Sequence, residues 1–508
     1  MFAKINSLGL FGLNAFPVEV EAEVSRGTPC FDIVGLADTA VKESRERIRA
    51  AFRSCSVSFP LSRIIVNLAP ADTKKTGSMH DLAIFAALLR IMGYIDENID
   101  RTAFIGEVSL NGNVRGVNGV LPMVLCAERA GFDTVFVPAE NAYEASVAEG
   151  ITVYGVENVK DIIGHFSRES VLIPQRKYEI VPEKRFDAVD FADVKGQKMA
   201  KKAMEYAAAG GHNLLMLGPP GSGKSMLAKR LPTIMPAMTF RESIETTNIH
   251  SVCGMVTKDN PLVSMRPFRS PHHTISGAGL SGGGTVPRPG EISLAHNGVL
   301  FLDELPEFSR QTLEMLRQPL EDRQVTISRA SGTVTYPCSF MLVAAMNPCP
   351  CGYAGHPTRK CICSKKQAQS YINRISGPML DRFDIEVEVA PVEYDSLSSK
   401  TKEESSAAIR ERVQAARDIQ HKRFKGTDIT CNARITSDIF HEVCPISPEG
   451  NELMKNVFEK MGLSARAYDR IVKVARTIAD MDGEEVIGKK HIAQAVQFRT
   501  LDRKYWSE

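Results

Sequence analysis

The sequence predicts an α/β protein in three parts: an N-terminal α/β domain, a central domain built on a parallel sheet, and a helical C-terminal domain. Length is the first reason, since 508 residues at roughly 100–200 per domain give about two to four domains. The second is a set of runs apolar on both faces: LLMLG (214–218), GVLFLDE (298–304) and FMLVAAMN (340–347). They alternate with helical stretches between residues 191 and 389, as strands of a parallel sheet covered by helices do. The third is a change of period after Glu393. Ala467, Ile471, Val474 and Ile478 follow helical 4-3-4 spacing, and Ile492, Ala495 and Val496 line one side of a last helix.

Residues 1–166 alternate short β-rich runs with two helical stretches, 81–94 and 120–131. Residues 8–16 (LGLFGLNAF) read as a buried strand pair and not as a signal-peptide core, because one lysine precedes them and Glu19, Glu21 and Glu23 follow. PVEVEAEV (17–24) has period-two polarity, SRIIVNLAP (62–70) is a buried strand ending at Pro70, and DTVFVPAE (133–140) is another. Residues 167–187 hold two prolines and no clear period, which makes them the linker. The core then occupies 188–393 and the helical domain 394–508.

Hydrophobic residues at 43% and charged residues at 24% sit near the globular norm and exclude extensive disorder. No apolar run approaches the roughly 18 residues of a membrane span, and the best, Leu82–Ile95, is broken by Arg90. The expectation is a soluble, cytoplasmic chain with no membrane partner. A net charge of +2 argues neither for nor against nucleic acid. Its split says more: residues 1–180 hold 18 basic and 22 acidic residues, leaving 44 and 38 for the rest. Basic character therefore lies in the C-terminal two thirds.

Gly218, Pro219, Pro220, Gly221, Ser222, Gly223, Lys224 and Ser225 fit G-x-x-x-x-G-K-[ST] and follow the apolar strand directly. The glycines let backbone N–H groups wrap phosphates, Lys224 neutralises β- and γ-phosphate charge, and Ser225 offers its hydroxyl to Mg²⁺. The strand GVLFLDE ends in Asp303, placed to hold Mg²⁺, and Glu304, placed to polarise an attacking water. The next strand delivers Asn347, which can reach between water and γ-phosphate without titrating.

At this point the chain resembles the AAA+ ATPases, with Asp193-Val-Lys-Gly-Gln197 ahead of the phosphate loop and Asn347 at the sensor-one position. The resemblance implies ATP and Mg²⁺ as ligands. Arg382 in MLDRFD (379–384) matches the arginine finger of helicase-like members, and Arg466 in Ser464-Ala-Arg466 the sensor-two arginine. For each, the alternative is a surface cation. Such a finger acts across a subunit boundary and implies a homo-oligomeric ring, in this family a hexamer.

Two further segments resemble insertions of the magnesium-chelatase and MCM branch, where they face the ring pore. RPFRSPHHTISGAGLSGGGTVPRPGEIS (266–293) has six glycines, Arg266, Arg269 and Arg288, and no acid before Glu291. RQVTISRASGTVTYP (323–337) reads as a β-hairpin with Arg329 at a basic tip. Over essentially the whole chain the likeness is to the ComM/YifB family of magnesium-chelatase-like ATPases. That likeness implies a helicase or translocase working on single-stranded, forked or branched DNA, with branch migration in recombination or natural transformation as its setting. These four arginines would grip the DNA. A flexible surface connector is the alternative for the glycine-rich segment, and a protein-remodelling ATPase of chelatase or MoxR type is the rival function.

The N-terminal region resembles the proteolytic domain of Lon proteases (a ribosomal S5 domain 2-like fold) through KKTGSMHDLAIFAALL (74–89) and GEVSLNGNVRGVNGVLPMVLCAERAGFDTVFVPAEN (106–141). Met79 stands where the family's serine nucleophile would be and Leu121 where its lysine would be, so the domain is expected to lack peptidase activity.

Eleven cysteines, an odd count with no export signal, imply reduced thiols. Four of them, Cys349, Cys351, Cys361 and Cys363, cluster as two C-x-C pairs on a Gly/Pro-rich loop, a candidate tetrahedral Zn²⁺ site. Free thiols or a structural turn are the alternatives.

Overall fold

The computed structural model describes residues 1–36, 38–179, 189–284, 287–330, 332–356, 358–391, 403–499 and 501. The 180–187 portion of the expected linker and the expected core–lid boundary at 393–394 lie outside the described residues.

The N-terminal domain is a seven-stranded mixed sheet, in the order Cys30–Val34, Arg63–Ala69, Asn14–Ser25, Phe2–Phe11, Thr102–Phe104, Thr134–Pro138, Thr152–Val156. Phe2–Phe11 and Asn14–Ser25 form the expected strand pair, an antiparallel hairpin registered from Phe2↔Glu23 to Phe11↔Asn14. Period-two alternation sends Val18, Val20, Ala22 and Val24 into the core. Helix Asp81–Ile91 is buried from Asp81 to Leu89, which explains why its sequence is apolar on every side. The sequence reading found two helices here; Thr39–Ser54 and Val159–Ser167 are additional. Thr39–Ser54 was hidden by its composition: Val41, Ile48, Ala51 and Phe52 form a narrow stripe among charged residues.

The central domain is a five-stranded, fully parallel sheet ordered Phe268–Arg269, Val299–Leu302, Met341–Met346, Leu214–Leu217, Ile385–Glu388. The three apolar runs supply its middle strands, and the two others carry too few apolar residues to have been read as strands. Its phosphate-loop strand lies between the Asn347 strand and Ile385–Glu388. Helices Ser406–Arg423, Pro448–Met461, Ala465–Met481 and Lys489–Gln497 make the C-terminal domain. Ile471, Val474, Ile478, Ile492 and Ala495 share one apolar core with Leu214, Met216 and Val343, so lid and sheet are packed as one body.

The expected hairpin is present as Gln324–Arg329 paired with Gly332–Pro337. Among the described residues the N-terminal domain meets the central one at two places. Ser251 Oγ donates to buried Glu144, and Leu121 and Val147 pack with Leu262. At the second contact, the Phe11–Leu13 turn sits on the basic hairpin. A Cβ on Gly12 would fall 2.2 Å from Val334 Cγ1, and one on Gly332 would fall 2.7 Å from Phe11 Cζ.

Candidate functional site

The phosphate-loop strand, Leu214–Leu217, is wholly buried and leads directly into Gly218. Gly221 (φ +77°) and Gly223 (φ +92°) then take left-handed conformations that turn the chain tightly into helix Lys224–Ile234. The loop 220–226, Asp303, Glu304, Met346 and Asn347 line one cavity of about 370 Å³. Every sequence-predicted residue for phosphate, Mg²⁺ and water therefore lines a single site, except Gly218 and Pro219. Lys224 Nζ donates to their carbonyls at 2.7 and 3.0 Å, and to Asn347 Oδ1 at 3.1 Å. Burial pulls the Lys224 ammonium down to about 8, against the opposing pull of Asp303 and Glu304.

Ser225 Oγ donates to Asp303 Oδ2 at 2.5 Å, which pairs the two oxygen ligands expected for a hard cation. Ser222, 2% exposed, has a hydroxyl without a partner in the loop. A buried orphan donor beside a buried ammonium and an acid–hydroxyl pair fits a nucleotide's phosphates with Mg²⁺. Glu304 sits at φ +53° with its carboxylate exposed, and His273 Nδ1 lies 3.8 Å from it. The sequence reading missed His273 as a neighbour of Glu304, because thirty intervening residues separate them. It assigned no role to the Gln197 side chain, whose amide donates to Ser222 O (3.3 Å) and Ala390 O (2.5 Å), tying the loop to the end of the fifth strand.

Arg382 lies away from this cavity. It pairs with Glu321 and lines a second cavity of about 210 Å³ with Asp384, Arg434, Arg470 and Lys473. Arg466 is exposed in the first turn of Ala465–Met481 and lines neither cavity.

The four arginines expected on DNA divide. Arg266 is 8% exposed and bonds Pro236 O, Ala237 O, Asn297 O and the Glu242 carboxylate. It is a buried strut, and its assignment to DNA is corrected. Arg269 is held bidentately by Glu291 at 2.6 and 2.7 Å, which neutralises it. Arg288 and Arg329 are exposed, and the segments carrying them are joined: Tyr336 OH donates to Pro287 O at 2.9 Å.

Cys349, Cys351, Cys361 and Cys363 converge, their sulfurs all within 4.8 Å of one another. At the Lon-like positions, Leu121 is buried against the central domain and Met79 is half-buried. No helix among the described residues is long and apolar enough to cross a membrane.

Known proteins match along the whole length. The family described as "Magnesium chelatase, subunit ChlI" matches residues 190–397, "Subunit ChlI of Mg-chelatase" matches 20–141, and "Magnesium chelatase, subunit ChlI C-terminal" matches 403–499. The chain is 41% identical to the competence protein ComM of Haemophilus influenzae, over 99% of its own length and 98% of the relative's. It is 40% identical to the YifB protein of Escherichia coli, over 98% and 97%. Its N-terminal part is 26% identical over 159 residues to a Lon protease of Rickettsia prowazekii, covering 29% of this chain and 20% of that one.

Proposed function

The chain belongs to the ComM/YifB family of magnesium-chelatase-like AAA+ ATPases, and from that premise we propose that it is an ATP-driven DNA translocase working as a hexameric ring in the cytoplasm. The observation that carries the DNA reading is the juxtaposition of exposed Arg288 and Arg329 on two segments joined through Tyr336 and Pro287. Phosphate contacts from such arginines are blind to sequence and weaken steeply with salt. The competence name of the Haemophilus relative supports branch migration during natural transformation or recombination as the setting.

In the reaction, Lys224 leaves its carbonyl partners for the β- and γ-phosphates. Ser222 and the loop N–H groups bind the remaining oxygens, and Asn347 orients the attacking water. Glu304 accepts that water's proton. Ser225 and Asp303 would hold Mg²⁺, which would supply positive charge against that of the phosphates. Arg382 reaches the γ-phosphate of the neighbouring subunit, and Arg466 swings in from the lid. Cys349, Cys351, Cys361 and Cys363 hold a structural Zn²⁺.

The internal pairing of Arg266 and Arg269 reduces the basic surface and favours a second reading, a protein-remodelling ATPase. ATPase rates of assembled rings at low salt, with duplex, forked and four-way DNA, separate the two. Acceleration by DNA is expected. Acceleration by an unfolded polypeptide alone would replace the translocase with the remodelling reading.

A further inference from the structure

The zinc loop is not remote from the chemistry. Asn347 is followed by Pro348 and then by Cys349, the one fully buried sulfur of the four. From there the loop turns back onto the phosphate loop. Gly352, at φ +80°, lies so close to Pro220 that a Cβ would fall 2.4 Å from Pro220 Cδ and 2.6 Å from its Cγ. Only a bare backbone fits against that ring. At its other end, Cys363 leads into helix Lys365–Ile372, and Arg374 just beyond it pairs with Glu307 at 3.2 Å, three residues after Glu304.

Burial does little to hold the loop's shape, and its own contacts are short-range, such as Arg359 Nη1 donating to Tyr353 OH at 2.8 Å. Between Cys349 and Cys363 no helix or strand occurs among the described residues, and the loop's large aliphatic side chain, Ile362, is 87% exposed. A segment that buries so little cannot offset its own ordering entropy without a cross-link. The sulfurs supply the means. Cys349–Cys351, Cys349–Cys361 and Cys351–Cys361 are separated by 3.4, 3.7 and 3.6 Å. Four thiolates at about 2.3 Å from a tetrahedral zinc would lie about 3.8 Å apart, close to these values, whereas a disulfide needs about 2.05 Å. Ala354 N donates to Cys349 Sγ at 3.3 Å and Gly352 N to Cys349 O at 2.9 Å, outer contacts that orient a thiolate ligand.

We propose that the four-thiol metal centre buttresses the nucleotide site from behind: it fixes Gly352 against Pro220 and anchors the strand end that presents Asn347, so that metal occupancy sets nucleotide affinity. The inference rests on the zinc reading of the cluster, and its test separates the two. Zinc content, dissociation constant for a fluorescent ATP analogue, and thermal unfolding are measured on the full chain, on Cys361→Ser/Cys363→Ser, and on Gly352→Ala. The parental protein is expected to hold about one zinc per chain. The double variant should lose it, melt cooperatively, and bind the analogue at least about tenfold more weakly. Gly352→Ala should keep its zinc and still bind about tenfold more weakly, because its methyl displaces Pro220. Absence of zinc from parental protein prepared without chelators overturns the zinc reading and this inference with it. A double variant free of zinc with parental affinity leaves the zinc reading and overturns the buttress. Should the double variant fail to melt cooperatively, Gly352→Ala decides, and parental affinity there overturns the inference.

Discussion

Lys224 Nζ and Asn347 Oδ1 lie 3.1 Å apart, so the phosphate-loop ammonium and the amide at the end of the adjacent strand form one hydrogen-bonded unit. That unit has a titration of its own. Burial holds Lys224 at about 8, well below an ordinary lysine, and a bound polyanion favours the charged form and moves it back up. Above pH 8 the free site has lost the proton that the bound site keeps, so binding takes up a proton and affinity falls as pH rises. Nucleotide affinity at pH 9 should be about tenfold below that at pH 7. Titration calorimetry in buffers of different ionisation enthalpy should register close to one proton taken up per site at pH 9. Lys224→Arg should abolish the uptake.

Arg382 pairs with Glu321 outside its own chain's phosphate cavity, and its proposed role is at a neighbour's site. Arg382→Ala should lower kcat about 10³-fold with nucleotide affinity within about threefold of the parent. Mixing it with Lys224→Ala subunits should restore part of the activity, since some interfaces then carry both groups. A parental turnover rate for Arg382→Ala alone would move the role to Arg374.

Arg266 and Arg329 should fail in opposite ways. Arg266→Ala strands the Glu242 carboxylate, 18% exposed, with three carbonyls left short of a donor, and should cost about 3–5 kcal/mol in a denaturant titration. Arg329→Ala should leave stability within about 0.5 kcal/mol and basal hydrolysis near parental. It should weaken DNA stimulation and lower the salt slope of binding by about one contact. Loss of DNA stimulation in Arg266→Ala at parental stability would contradict this division.

In the N-terminal domain, His80 is buried beside Ser7, whose Oγ lies 3.0 Å from Nδ1. Burial, with Lys75 nearby, pulls the imidazole down to about 4 from 6.5. Unfolding frees it to protonate, so the unfolded chain binds more protons between pH 6.5 and 4 and stability falls as pH drops through that window. The slope should be steepest midway through that window, near pH 5.25, at about 1.2 kcal/mol per pH unit, and fall to about half of that near pH 4. Amide exchange of Leu82–Leu89 in the intact chain, corrected for intrinsic rates, should report it, and His80→Asn should flatten the dependence.

The phosphate loop, Asp303, Glu304 and Asn347 were legible because each is announced locally, by an apolar strand and the polar residue that ends it. The Arg329 hairpin was legible for the same reason, as two alternating arms around a Gly-containing turn. Arg266 was not: its partner Glu242 lies 24 residues back on a separate helix, and an arginine's burial depends on that partner. Charge count alone therefore overstated the basic surface. Helix Thr39–Ser54 was lost because its seven charged residues outnumber its apolar stripe. The Gly352–Pro220 contact brings together two loops more than 130 residues apart, and nothing in either loop signals the other.

The seat of Phe11 and Gly12 on Val334 and Gly332 bears on how force travels. In the proposed translocase, a polymer pulling on Arg329 would tug a two-stranded hairpin whose tip is braced by another hairpin, itself continuous with a seven-stranded sheet. Load at the hairpin would thereby be shared with the N-terminal domain instead of bending a loose loop. Any stroke of that hairpin would have to carry the whole N-terminal sheet with it or slip along this apolar contact, so the tightness of the contact would set the stiffness of the step.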